Sequence, residues 1–168
     1  MADDRVVFHW CYMNDSYSLR EYLEGGGDPH LSDRYGDTLL HEASRENAKE
    51  CVELLLNCKV SPNIQNQNGD TPLHLSAQYK AGECLELLLK HGANPSLFNK
   101  IKDTPLHRAA RNNCKRCMEL LLGYGADYSM KNIKEHTFIE GICSESIKNA
   151  MQEFLEELDA FNIKEPSC

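Results

Sequence analysis

Apolar residues along the chain recur at spacings of three and four, the mark of helices that bury one face. In "GECLELLLKHG", Cys84, Leu85, Leu88 and Leu89 share a side, and Gly92 follows where a helix can end. Upstream, "NGDTPLHLSA" predicts a turn and a second, shorter helix. Asn68, Gly69 and Asp70 are turn formers, Thr71 is a favoured N-cap, and Pro72 takes the first helical position, where its missing N–H costs nothing. Leu73 and Ala77 then share a face with small Ser76 beside them, so a neighbouring helix can approach closely. Near the end, "IKNAMQEFLEELDAFNI" predicts an amphipathic helix with Ile147, Met151, Phe154, Leu155 and Leu158 inward and mostly acidic residues outward.

This turn and helical hairpin return every thirty-three residues. Thr38, Thr71, Thr104 and Thr137 mark the first helix start, and "CVELLLNCKVSPN", "CLELLLKHGANPS" and "CMELLLGYGADYS" mark the second helix from Cys51, Cys84 and Cys117. Units therefore span 33–65, 66–98 and 99–131, with weaker copies at 1–32 and 132–168. In the first copy Tyr22-Leu23 falls under Leu55-Leu56, and Pro29 under Pro62 and Pro95. The last copy has Glu140 where a histidine belongs. No pair of helices this short buries its own apolar face, but stacked neighbours bury it jointly.

The period, the G-x-T-P-L-H-x-A core and the L-L-L-x-x-G-A close together resemble the ankyrin repeat, strongly over 33–131 and weakly over nearly the whole chain. The resemblance implies an all-α solenoid of four to five stacked helix-turn-helix units, each led by a β-turn finger, as in small ankyrin-only proteins. The outer copies read as caps. Bulky Trp10 stands where the middle units have Ala43, Ser76 and Ala109, and the acidic outer side of the last helix keeps an exposed end soluble.

Composition narrows the function classes. Eight cysteines in 168 residues, without a basic, apolar leader in "MADDRVVFHW", point to a reducing cytoplasmic or nuclear setting. Apolar clusters such as "LELLLK" are too short to cross a bilayer. The net charge of −8 argues against a general nucleic-acid binder. Capped ends imply a monomer.

Nothing in the sequence reads as catalytic, cofactor-binding or metal-ligating. His41, His74 and His107 share one repeat position, but stacked repeats set them about 10 Å apart, too far for a zinc that needs ligands at about 2 Å. By resemblance, each bonds the threonine of its own motif and nearby backbone. Cys51, Cys84 and Cys117 read as small core residues. "CKRC" from Cys114 has the gap of a zinc knuckle or redox pair, but lacks a second pair at suitable spacing. Cys58 and Cys168 are candidate surface thiols. Walker, nucleophile-elbow and zincin motifs are missing, and "GGGD" at Gly25 is a loop close.

The repeated stretch is scaffold, so function is expected where the copies differ. Ankyrin-type proteins commonly bind through finger tips and the inner face of the first helices. Carried onto this chain, that strip is His9, Tyr12 and Met13, then Glu42, Arg45 and Glu46, then Leu75, Gln78 and Tyr79, then Arg108, Arg111 and Asn112. The fingers add Arg34 and Tyr35, Gln67 and Asn68, and Lys100 and Ile101. Leu75, Tyr79 and Ile101 are expected to be exposed, as anchors for a partner. Residues 99–131 carry +4 between acidic ends of −4 and −5, which points to a partner with an acidic segment. The expected function is a non-enzymatic module that binds a protein on this concave face, as adaptor or inhibitor. Alternatives are an inhibitor of a transcription factor or kinase, and a metal or redox protein using the cysteines and histidines.

Overall fold

The computed structural model describes residues 3–162. Helices pair along the chain: α1 (Asp4–Tyr12) with α2 (Ser16–Glu24), α3 (Leu39–Arg45) with α4 (Lys49–Asn57), α5 (Pro72–Gln78) with α6 (Gly82–Lys90), and α7 (Pro105–Arg111) with α8 (Lys115–Gly123). A 3-10 turn, Phe138–Gly141, and a long α9 (Glu145–Asn162) complete the order. The first helices stack as one layer, α1 on α3 on α5 on α7 and then the 3-10 turn. The second helices stack as another, α2 on α4 on α6 on α8, with α9 at the end. The solenoid expected from the sequence is what forms.

Stacking follows from which residues the helices bury. Leu55, Leu85, Leu88 and Leu121 of the second helices are fully buried, as are Leu40, Leu73, Ala77 and Ala109 of the first. Ile147, Phe154, Leu155 and Leu158 of α9 pack partly buried against this core, around a fully buried Met151. Gly92, with φ of +82°, follows the end of α6 in the left-handed conformation that closes a helix.

The last copy departs from the hairpin pattern. In α3, α5 and α7, threonine and histidine form reciprocal caps: Thr71 accepts the His74 N–H, and the His74 ring accepts the Thr71 N–H. Glu140 ends this exchange. Its carboxylate takes the Thr137 hydroxyl instead, no side chain caps the turn, and the first helix shrinks to a single 3-10 turn. Phe138, at 1% exposure, still fills the buried place of that helix.

Candidate functional site

The first helices and their fingers are held by two ladders of buried and half-buried polar groups. In the first, His41, His74 and His107 accept the N–H of their own threonine at Nδ1, across 3.1 to 3.2 Å. Their Nε2–H groups donate to the carbonyls of Asp70, Asp103 and His136 in the following unit, each at 3.0 Å. A carbonyl can only accept, so Nε2 carries the proton and the rings are neutral. Burial holds all three below the usual histidine range, and His74 falls to about 4. Every ring nitrogen is engaged by protein. Among the described residues, no group of three His, Cys, Asp or Glu side chains is arranged to hold a metal ion.

The second ladder positions the fingers. Asn66, Asn99 and Asn132 each accept two backbone N–H groups of their own finger. Their amide groups donate to Asp37, Asp70 and Asp103 of the preceding unit at 2.6, 2.7 and 3.2 Å. Neighbouring fingers then share one backbone bond each: Gln67 N–H to Tyr35 O, Lys100 N–H to Asn68 O, and Ile133 N–H to Ile101 O.

The same aspartates capture the arginines of the strip. Arg45 bonds Asp37 and Glu42, both at 2.6 Å, and its guanidinium lies 5.7 Å from the Tyr79 ring centre. Arg108 spans both carboxylate oxygens of Asp70 at 3.1 Å and reaches Gln78 at 2.7 Å. Arg111 pairs with the fully buried Asp103. Most of the arginine charge expected to meet an acidic partner is therefore compensated inside the molecule. Lys100, Lys102 and Lys134 at the finger tips make no ion pair among the described residues.

The remaining strip residues divide by exposure. His9, Tyr12, Met13, Arg34, Tyr35, Glu46, Gln67, Asn68, Tyr79, Lys100 and Ile101 are exposed, and Glu42, Gln78 and Asn112 are half-buried. Leu75 corrects the expectation: it is only 5% exposed and belongs to the packing. It lies on α5, which is covered by α3 on one side and α7 on the other, and both Arg45 and Arg108 reach across onto α5. Tyr79 escapes because it caps the end of α5, at 52% exposure. Ile133, 64% exposed and bonded to Ile101 through the backbone, extends the apolar finger edge and was missed. The signal was present, since Ile133 lies one repeat beyond Lys100 on the next finger. At the other end of the strip, a groove of about 530 Å³ is lined by Phe8, His9, Tyr12, Asp33 and Glu42, among others.

The cysteines also divide. Cys51 and Cys84 are fully buried core residues, and burial pushes the Cys84 thiol up to about 12. Cys58 is exposed, and Cys168 lies outside the described residues. Cys117 departs from the reading as a simple core residue, because a disulfide joins it to Cys114.

Among the described residues, no helix is long and apolar enough to cross a membrane. A search of curated proteins finds no match to this chain. A family model described as "Ankyrin repeats (3 copies)" matches residues 8–99 and again residues 40–132. Together these cover well over half of the chain, and with the capped hairpins, the fingers and the two-layer stack they place the protein in the ankyrin-repeat family.

Proposed function

We propose that this protein is a non-enzymatic binding module that holds a partner protein along its concave face. Ankyrin repeats generally mediate protein–protein interaction, and the observation that carries the reading here is the exposure of large apolar side chains at a first-helix end and along the fingers. Tyr79, Ile101 and Ile133 are 52%, 43% and 64% exposed, beside lysine-tipped fingers. Large apolar residues held out on ordered backbone bind at low entropic cost. Lys100, Lys102 and Lys134 flank them, so the best-fitting partner segment is apolar with acidic neighbours. Tyr12, Met13 and Tyr35 extend the same contact surface towards the first unit. The module acts by occupancy, as adaptor or inhibitor in the cytoplasm or nucleus, and the copies at 1–32 and 132–168 close its ends.

Inhibition of a transcription factor is compatible with this surface. Kinase inhibition of the type built on a shortened first helix in the second repeat fits less well. The α3 helix has 7 residues, as do α5 and α7.

The test is paired affinity capture from native cells with the natural chain and with Tyr79→Glu plus Ile101→Glu. Both positions are exposed, so the two baits should melt alike by circular dichroism. Loss of specific partners from the double variant supports the reading. Identical partner lists from equally folded baits overturn it.

A further inference from the structure

A ladder of asparagines crosses from each unit to the next, and it has one gap. Asn14 and Asn47 end the first helix-helix turns in the left-handed conformation, at φ of 54° and 56°. Their side-chain oxygens accept the N–H of Cys51 and Cys84 in the following unit, at 3.4 and 3.2 Å. The same step from Lys80, at φ of 61°, arrives at Cys117. Lysine offers no acceptor there. The Cys117 N–H turns instead to the sulfur of Cys114, at 3.4 Å.

Cys114 holds the N-cap position of α8, where the matching Ala48 and Ala81 make no side-chain cap. The pair thus stands at the N-cap and third position of a 9-residue helix, with Cα atoms 5.3 Å apart and a disulfide between the sulfurs. The two sulfurs differ in access. Cys117 is fully buried, while Cys114 retains 9% exposure. A helix N-terminus favours a thiolate, and Lys115 and Arg116 add positive charge. Glu119 and Glu86 offset part of that charge, at 3.5 Å from Lys115 and 3.9 Å from Arg116.

We propose that Cys114 and Cys117 form a reversible dithiol–disulfide site that exchanges with low-molecular-weight disulfides such as glutathione disulfide, with Cys114 as the entry sulfur. In the closing direction, the Cys114 thiolate attacks one glutathione sulfur. A Cys114–glutathione bond forms, the glutathione disulfide breaks, and one glutathione thiolate leaves. The Cys117 thiolate then attacks the Cys114 sulfur, closes the protein disulfide and releases the second glutathione. The protein loses two electrons and two protons, and glutathione disulfide becomes two thiols. Reduction is the reverse. The site lies at the α6–α8 seam, where the asparagine cross-link is missing, and beside Asn113, whose oxygen accepts the N–H groups of Cys143 and Ser144 and so ties down the last unit.

The experiment equilibrates the full chain in glutathione buffers of varied redox ratio, quenches with acid, alkylates and reads intact and peptide masses. The ratio of oxidised to reduced protein should rise in proportion to glutathione disulfide and fall with the square of glutathione, with the lost hydrogens mapped to Cys114 and Cys117. Cys117→Ser should accumulate one glutathione on Cys114, whereas Cys114→Ser should leave buried Cys117 unmodified. Alkylation of all eight cysteines at every ratio overturns the proposal, as does a disulfide mapped to another pair. Glutathione on Cys117 in folded Cys114→Ser, verified by circular dichroism, overturns the assignment of the entry sulfur. The wild-type titration needs no variant to fold.

Discussion

The ring of His74 donates to the backbone carbonyl of Asp103, 3.0 Å away in the next unit, while its other nitrogen accepts the N–H of Thr71. One side chain therefore caps its own helix and fastens the following finger, and it does both only when neutral. Burial lowers His74 to about 4, so the folded protein resists a proton that the unfolded chain accepts near 6.5. The stabilisation is complete above 6.5 and is lost as the pH falls from there through 4. The drop corresponds to roughly 3 kcal/mol for this residue, and His41 and His107 shift in the same direction. Urea unfolding should show falling stability between neutral pH and about 4.5. His74→Gln should flatten that slope and cost on the order of 2 kcal/mol at neutral pH.

Arg111 and Ile101 should differ in what they contribute to stability. Arg111 balances the fully buried Asp103, so Arg111→Glu sets a second carboxylate against a buried one. Discounted for the exposure of Arg111, the cost should be about 1–2 kcal/mol. Ile101→Glu lies at an exposed finger tip and should stay within about 0.5 kcal/mol. Thermal melts of the two variants side by side would test this, and a larger loss in Ile101→Glu would refute it.

Gly69 should not accept a side chain. Its φ is +77°, and a Cβ there would meet the Lys100 nitrogen at 3.0 Å and the Asn99 Cα at 3.1 Å. Both contacts are backbone and cannot swing aside. Gly69→Ala should cost on the order of 2 kcal/mol, read from the urea midpoint. Lys102 and Glu135 hold the same finger position at φ of 56° and 60°, so the conformation itself is tolerated there.

Lys80→Asn should complete the asparagine ladder. Asparagine suits the left-handed backbone better than lysine does. Its oxygen would lie one unit from the Cys117 N–H, as Asn47 does from Cys84. A gain of about 1 kcal/mol is expected. The measurement is made with the Cys114–Cys117 pair reduced. Slower hydrogen exchange at the Cys117 amide should accompany the gain.

Much of the frame was legible because its signals are local. Thr71, Pro72 and His74 announce a capped helix within four residues, and the period repeats that announcement often enough to reveal the stack. The last copy was only half legible. Glu140 was visible as a departure, but the pattern did not show that the first helix shrinks to a 3-10 turn. The candidate strip was read by register, which places a residue on a face without saying what covers it. Leu75 and Tyr79 have the same register standing, yet α3 and α7 cover only the first.

The sequence by itself determined the hairpin, its period, its caps and the family, because these rest on contacts between residues a few positions apart or exactly one repeat apart. Only the tertiary structure decided which strip residues are exposed and which are paired or covered. Asp70 meets Arg108 thirty-eight residues on, and Ile133 is set beside Ile101 by a finger-to-finger bond. Charge and exposure are sums over neighbours from several units, and those neighbours are chosen by packing rather than by the order of the chain.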